Sequence, residues 1–375
     1  MLKRTSSKDT YQLASHIDHL GGEVNAFTDA DSLCLHGKVP GSCAEELMDF
    51  FAELLLQPAF TESDVETERE VIRQEILESQ DSPVDVLYQE FSKAFWPDSV
   101  LGSPTFGTVE LLESFSYGDL YERLHSLLQG KKMIIVAAGN IDPQKVKSHA
   151  EKSFSHLDTG RKPEFVTPAS SSGIRLIKRS FTQAHFSLGV LWPSMRDENF
   201  LAGVLIGSIL GEGMSSRLFQ ALREERGLVY DVGAEIDMYS DTSCLSISGV
   251  VEPNNFKAAL DLIVSEVEGL SLRSIQDQEL QRVISLHKAQ LQMETDSLST
   301  RMWRALESET VFGRHVSCLE LSERFSQISL KQIQDVLSEY LEGAKFLLAV
   351  AGEVQDFEVG DSIVSLCGDK VTLLE

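Results

Sequence analysis

One pattern recurs in the sequence at a fixed spacing of 213 residues, and this repeat constrains the fold more than any other feature. Each copy reads as a helix, a glycine turn, an apolar strand and a closing glycine. The matched positions are Ser116, Leu124, Leu128, Gly130, Lys132, Val136 and Gly139 in the first half, and Ser329, Leu337, Leu341, Gly343, Lys345, Ala349 and Gly352 in the second. The repeat predicts a duplicated domain, and a chain of 375 residues is long enough for two.

Apolar periodicity and turn residues predict mixed helices and strands in both halves. In the first half we expect helices over 7–20, 42–57, 61–79, 83–95 and 117–129, and strands over 24–28, 33–39 and 133–138. In the second half we expect strands over 174–181, 184–191, 228–238, 243–251 and 346–351, and helices over 197–210, 215–225, 254–269, 276–308 and 330–342. Ser7 and the Ser42–Glu45 pair are the expected caps of the first two helices.

The stretch 159–173 is rich in Pro, Ser and Gly, which is typical of a linker. The predicted domains are therefore residues 1–158 and 174–375. The expected fold class is α+β.

The net charge of −25 argues against a nucleic-acid-binding protein, because binding to phosphates requires a basic face. It would attract a basic peptide, although a solvated acidic surface is the simpler explanation. The sequence has no run of about 18 apolar residues, so no membrane span is expected.

The cysteines are odd in number and form no C-x-x-C pair. This favours idle thiols in a reducing compartment, and we expect a cytoplasmic protein. The first eight residues lack the apolar core of a signal peptide. The cysteines are Cys34, Cys43, Cys244, Cys318 and Cys367.

The helix expected over 61–79 carries Glu68 and Glu75, two turns apart and about 10.5 Å apart along the axis on one partly apolar face. A carboxylate on an apolar stripe is costly unless it is paired or bound to a metal. The same positions in the second copy are Gln281 and Lys288. If one copy carries chemistry, it is the first. Most of the other acidic side chains on this helix are expected to be solvated.

Five short motifs follow one another along the chain. Residues 20–28 read Leu-Gly-Gly-Glu-Val-Asn-Ala-Phe-Thr, and residues 68–76 read Glu-Arg-Glu-Val-Ile-Arg-Gln-Glu-Ile. Residues 138–141 read Ala-Gly-Asn-Ile, residues 210–219 form a glycine-rich turn, and residues 222–230 read Leu-Arg-Glu-Glu-Arg-Gly-Leu-Val-Tyr. Together, and in this order, they resemble the insulinase–pitrilysin–mitochondrial processing peptidase family almost from end to end.

The resemblance implies a zinc endopeptidase built from two homologous domains, each a mostly antiparallel sheet packed with helices. In this family the domains form a clam-like chamber around an unfolded peptide. A homodimer, or a heterodimer with a second family subunit, is the assembly that it implies.

The resemblance also assigns roles to residues of this chain. In the family two histidines of an H-x-x-E-H helix bind zinc, and a later Glu completes the ligand set. Glu75 falls on that third ligand, and Glu68 falls on the acidic position that supports the catalytic site. The strand residues Asn25, Ala26 and Phe27 would pair with the peptide substrate. Arg223 and Tyr230 correspond to the pair of the second domain that reaches the scissile carbonyl, where both could donate to an oxyanion. An ion pair for Arg223 and a core position for Tyr230 are the alternative.

The H-x-x-E-H motif itself occurs nowhere in the sequence. Counting back from Glu75 by the family's spacing reaches Met1 or just before it, and Met-Leu-Lys-Arg-Thr resembles the stretch that follows the motif. His16 and His19 are three apart but have no Glu between them, so a solvent-facing helix explains them better.

The resemblance therefore implies a truncated chain that lacks two zinc ligands and the general base. Its parent is then an active zinc peptidase. The alternatives are a non-catalytic partner subunit and a structural scaffold. Without the missing residues we expect the first half to expose a strand edge and an apolar face, and either to be less stable or to rely on a partner.

Overall fold

The computed structural model describes residues 3–162, 166–239, 241–272, 275–353 and 360–374. The first two residues of the Met-Leu-Lys-Arg-Thr match, and residues 163–165 of the predicted linker, lie outside this range. Within it, no helix combines the length and the apolar character that crossing a membrane would need.

The first half is mainly helical and contains one β-hairpin. Its elements are α1 (Thr10–Leu20), β1 (Glu23–Thr28), β2 (Leu33–Lys38), α2 (Ala44–Leu56), α3 (Glu62–Asp81), α4 (Pro83–Phe95), α5 (Val109–Ser114), α6 (Tyr117–Leu127) and α7 (Pro143–Phe154). The predicted hairpin strands and the predicted helices α3, α4 and α6 are all observed, with every end within two residues of the prediction.

The second half contains the larger sheet. Its elements are β3 (Gly173–Lys178), β4 (Ala184–Trp192), α8 (Phe200–Gly211), β5 (Val229–Met238), β6 (Ser243–Val251), α9 (Phe256–Leu272), α10 (Asp277–Glu294), α11 (Leu298–Phe312), α12 (Cys318–Gln327), α13 (Leu330–Tyr340), β7 (Leu347–Gly352), α14 (Asp361–Cys367) and β8 (Val371–Leu374). A π-helical segment, Phe219–Glu224, precedes β5. The chain is α+β, as the sequence predicts.

The chain divides into two compact units, each assembled from three segments. The first unit comprises Met1–Leu77, Thr105–Glu164 and Glu294–His315, and the second comprises Glu78–Pro104, Phe165–Met293 and Val316–Glu375. The boundary predicted at 159–173 stays a prediction.

In the second unit, the described strands form one six-stranded sheet in the order β5-β6-β4-β7-β3-β8. The pairs β5–β6, β6–β4 and β4–β7 are antiparallel, and β7–β3 and β3–β8 are parallel. Alternate residues of the strands, such as Phe186, Leu188 and Val190, are fully buried in one large core that includes α8, α9 and α13. The first unit has a far smaller buried cluster, formed by Leu13, Phe50 and Leu54.

The predicted caps of the first two helices are wrong. Asp9, not Ser7, caps α1 in a reciprocal box with Gln12, because the Ser7 hydroxyl donates to Glu53 of α2 over 2.5 Å. A short 3₁₀ turn, Gly41–Cys43, precedes α2, and Glu45 pairs with Lys145 instead of closing a capping box.

The helix predicted over 276–308 is two helices, α10 and α11. Ser297 interrupts it, since its hydroxyl accepts from the Thr300 amide over 3.3 Å and so caps α11.

The two copies of the sequence repeat share their helix but not their strand. Ser116 and Ser329 cap α6 and α13 with the same reciprocal box. In the second copy β7 lies between β3 and β4, whereas residues 133–138 form no strand, so the predicted buried strand is wrong. Ile134 and Ile135 are each 47% exposed. An apolar run becomes a strand only when partners complete its hydrogen bonds, and none of the described residues pairs with it.

Candidate functional site

The helix α3 holds the two acidic residues singled out by their spacing. Thr61 and Asp64 begin this helix by exchanging hydrogen bonds: the Thr61 amide donates to the Asp64 carboxylate over 2.8 Å, and the Asp64 amide donates back to the Thr61 hydroxyl. The bond from the Thr61 amide, with those that the Arg4 guanidinium and the Thr61 hydroxyl donate to the same carboxylate, lowers the pKa of Asp64 to about 2. Arg69 binds the Leu112 and Phe115 carbonyls, which fixes the middle of α3.

The carboxylates themselves are less buried than the spacing suggests. Glu75 is exposed, while its neighbour Ile76 takes the buried position, 3% exposed. Glu68 is half-buried, and its carboxylate forms an ion pair with Lys3 over 2.7 Å. Because Glu75 is exposed, its carboxylate carries no burial cost that a metal ion would have to offset. A metal-binding role for Glu75 therefore stays a prediction that rests on the motif.

The described residues do not by themselves fit a zinc ion. No three His, Cys, Asp or Glu side chains among them converge as metal ligands. A structural zinc site uses four protein ligands and a catalytic site three, so Glu75 alone is insufficient. His16 lies 3.7 Å from Glu46 and packs on the Phe50 ring, while His19 is exposed. These contacts agree with a surface helix instead of a metal pair.

The strand β1 presents the predicted peptide-binding residues. In the described part of the chain, it pairs with β2 alone. The Ala26 N–H donates to the side-chain oxygen of Asn25 over 2.8 Å. The Asp29 N–H donates to the Ser32 carbonyl at the end of the hairpin. By the alternation of an antiparallel ladder, Phe27 and Asn25 therefore bond to β2 and Ala26 faces the other edge of β1, to which another strand can bond.

One face of the hairpin carries a cluster of aromatic rings that the sequence did not predict. Asn25 lies opposite His36 and Phe27 opposite Cys34, so these four side chains share a face. Trp303 of α11 packs on that face, with ring centroids 5.7 Å from Phe27 and 5.4 Å from His36. Burial raises the pKa of the Cys34 thiol, so this thiol stays protonated at neutral pH.

In the second unit the structure brings Arg223 and Tyr230 together. The Arg223 guanidinium lies 5.2 Å from the centre of the Tyr230 ring and 4.8 Å from that of Phe219. Tyr230 follows Val229 at a bulge of β5 and is 81% exposed, so it is not a core residue. The π-helical turn that carries Arg223 is a local irregularity of the kind often found at functional sites. The catalytic role of the pair stays a prediction.

The glycine-rich turn at 210–219 is held from both sides by charged groups. Arg217 binds Glu279 of α10 through two parallel hydrogen bonds of 2.8 and 2.9 Å. Glu212 accepts from Ser208 and from Gln290 over 2.5 and 2.8 Å. Bidentate pairing of this kind fixes geometry as well as charge, so the turn is a rigid support beside the segment that carries Arg223.

Two family models cover most of the chain. Residues 1–109 match Insulinase (Peptidase family M16), and residues 114–286 match the Peptidase M16 inactive domain. An uncharacterized zinc protease of Bacillus subtilis is 30% identical over 337 residues, which are 88% of this chain and 81% of that protein. An uncharacterized zinc protease of Mycobacterium tuberculosis is 29% identical over 360 residues, which are 94% of this chain and 82% of that protein.

Solved structures show the same fold. A protease from Helicobacter pylori superposes with a TM-score of 0.84 at 19% identity, covering 93% of this chain and 87% of that one. The peptidase M16 inactive domain from Pseudomonas fluorescens gives 0.81 at 18% identity, covering 93% and 85%. The fold is that of M16 peptidases. The chain belongs to the M16 peptidase family.

Proposed function

We propose that this chain is the peptide-binding body of a zinc-dependent endopeptidase, and that its 375 residues do not hydrolyse peptides alone. The observation that carries the proposal is the edge of β1. β1 pairs with β2 on one side, and its Ala26 N–H donates to the Asn25 side chain, an acceptor that a peptide carbonyl can replace. A substrate would bind as an extended strand beside Asn25, Ala26 and Phe27.

Within this proposal Glu75 is the third zinc ligand and Glu68 keeps the supporting position. The exposure of Glu75 leaves its carboxylate accessible to a metal ion, and the Lys3 ion pair holds Glu68 in place. Zinc, when bound by a complete ligand set, supplies an activated water and polarises the substrate carbonyl. The sequence holds neither the two histidines nor the general base of an H-x-x-E-H motif.

Arg223 and Tyr230 are assigned as hydrogen-bond donors to the peptide carbonyl. A guanidinium and a phenol both stabilise a developing oxyanion. Their ring–guanidinium contact holds them side by side, and the exposure of Tyr230 leaves its hydroxyl free to meet a ligand.

The test is hydrolysis of a fluorogenic peptide by this chain and by a form extended upstream of Met1 to include an H-x-x-E-H segment. We expect no turnover from the 375-residue chain and zinc-dependent turnover from the extended form. Glu75→Gln should lower kcat/KM of the extended form at least about 100-fold, since losing a ligand exceeds the usual effect of losing an outer partner. Glu78→Gln, at an exposed position of the same helix, is the matched control.

A second reading is a non-catalytic subunit of a two-chain peptidase, and the missing H-x-x-E-H motif favours it. It predicts that the extended form stays inactive and that activity appears only on mixing with a second family chain. Turnover by the extended form alone would exclude this reading.

A further inference from the structure

We propose that Phe219 is a positioning residue for the reaction. Its ring holds the Arg223 guanidinium beside Tyr230 and leaves the N–H groups of the guanidinium open to a peptide carbonyl. The inference rests on the proposed function, because it deepens the role that Arg223 and Tyr230 have there. Phe219 acts through Arg223 and not on the substrate itself.

The Arg223 guanidinium contacts two aromatic rings. Its central carbon lies 4.8 Å from the centre of the Phe219 ring and 5.2 Å from that of the Tyr230 ring, and both distances are within the range of a cation–π contact. A ring attracts the charge of a guanidinium, whereas a carboxylate takes up two of its N–H donors in a bidentate pair. Contact with rings therefore positions the group and leaves its donors for a ligand.

Arg217, on the same segment of the chain, shows the alternative arrangement. Its guanidinium forms two parallel hydrogen bonds with Glu279, so these donors are occupied within the fold. In the described part of the chain the Arg223 guanidinium contacts the two rings and no carboxylate, although Glu224 and Glu225 follow it directly. The fold thus holds Arg223 as a charged donor that no acidic side chain neutralises.

Of the two rings, that of Phe219 has the better fixed position. Leu218, which precedes it, and Leu222, which follows in the same turn, are both fully buried in the large core of the second unit. Phe219 is half-buried, whereas Tyr230 is 81% exposed. A ring on this anchored turn restricts the rotamers of Arg223, which are numerous for so long a side chain.

Loss of the Phe219 ring should therefore release Arg223. The exposed carboxylates of Glu224, Glu225 and Asp231 lie close along the chain and would compete for its charge. A guanidinium that spends part of its time elsewhere stabilises the oxyanion less often, so the expected effect falls on the chemical step more than on substrate binding.

Two variants of Phe219 separate positioning from packing. Phe219→Leu keeps an apolar side chain but removes the ring, and Phe219→Tyr keeps the ring. Phe181→Leu removes a half-buried ring elsewhere in the same unit and is the matched control.

The contact itself is measured in the 375-residue chain by NMR of the arginine side-chain N–H groups. The resonance of Arg223 is assigned from its loss in Arg223→Lys. An N–H held over an aromatic ring is shielded, so this resonance should lie upfield of those of exposed arginines. Phe219→Leu should move it downfield, whereas Phe219→Tyr and Phe181→Leu should leave it in place.

The role in the reaction is measured in the form extended to include H-x-x-E-H. Phe219→Leu should lower kcat about fivefold with KM unchanged within about twofold, which is the size expected of a cation–π contact at a partly exposed site. Phe219→Tyr should restore most of the rate. In an Arg223→Ala background Phe219→Leu should have no further effect, because the two side chains act as one unit.

The outcomes separate this inference from the proposed function. An unmoved Arg223 resonance in Phe219→Leu, or an equal further loss of kcat in the Arg223→Ala background, would overturn the positioning role and leave the proposed function standing. A rise in KM at unchanged kcat would also overturn it, since that pattern marks a direct contact with substrate. Absence of turnover by the unchanged extended form would overturn the proposed function and the positioning role with it.

Discussion

Arg217→Ala tests whether the glycine-rich turn is a support held by one ion pair. Arg217 makes two bonds to Glu279 and one of 3.3 Å to the Gly269 carbonyl, and its side chain is only 15% exposed. Bonds to charged groups contribute about 1.5–3 kcal/mol each when buried, but Glu279 is partly exposed, so we expect a net loss of about 2–3 kcal/mol. Urea unfolding, followed by the fluorescence of Trp96 and Trp192, measures it.

The pH dependence supplies a second readout of the same pair. The Arg217 hydrogen bond holds the pKa of Glu279 below its usual value. A depressed carboxyl pKa stabilises the fold above the unfolded pKa, and this contribution is lost as pH falls through the folded value. Arg217→Ala should therefore flatten acid destabilisation, and Arg217→Lys should restore part of it because lysine lacks the bidentate fork.

The matched control is Arg226→Ala, which removes an exposed arginine from the same neighbourhood. It should change the free energy of unfolding by less than about 0.5 kcal/mol. A loss of similar size in Arg226→Ala, or no loss in Arg217→Ala, would refute the reasoning.

Two further predictions concern stability within each unit. Burial, reinforced by Glu235, raises the pKa of Asp237 to about 6. The native carboxyl then keeps its proton over a range in which the unfolded one has released it, so the free energy of unfolding falls as pH rises from about 4 to 6. Asp237→Asn should remove that slope and stabilise the protein by about 1–2 kcal/mol at pH 7 in urea titrations. In the first unit, the small cluster around Leu54 and the unpaired run 133–138 should exchange amide hydrogens faster than β4 and β7, and equal protection by hydrogen-exchange mass spectrometry would contradict this.

Local chemistry made much of the fold predictable. The boxes at Ser116 and Ser329 involve residues three apart, so sequence alone locates both helix starts. The two hairpin strands were also predictable from their composition and spacing. The prediction that Ser7 caps α1 was wrong because its hydroxyl bonds to Glu53, which is 46 residues away, and a local sequence pattern does not reveal such a distant contact.

The run 133–138 shows a different limit of sequence reasoning. Its apolar composition matches that of its repeat partner β7, yet only β7 has strands on both sides. An apolar composition shows that a segment could form a buried strand, but the segment forms one only where neighbouring strands pair with it.

The candidate site was likewise predictable only where local motifs mark its residues. Motifs located Asn25, Phe27, Arg223 and Tyr230, and the structure brings the last two into contact. Trp303 was missed because it meets Phe27 from a distant part of the chain and lies on a helix with no motif of its own.

Under the proposed function Glu75 is a zinc ligand, and the 375 residues contain no H-x-x-E-H motif to supply the other ligands. Zinc content by elemental analysis after dialysis tests it most directly. We predict substoichiometric zinc in this chain, one zinc per chain in a form extended to include H-x-x-E-H, and loss of that zinc in its Glu75→Gln variant but not in Glu78→Gln. One tightly held zinc in the 375-residue chain, or full retention by the extended Glu75→Gln variant, would contradict it.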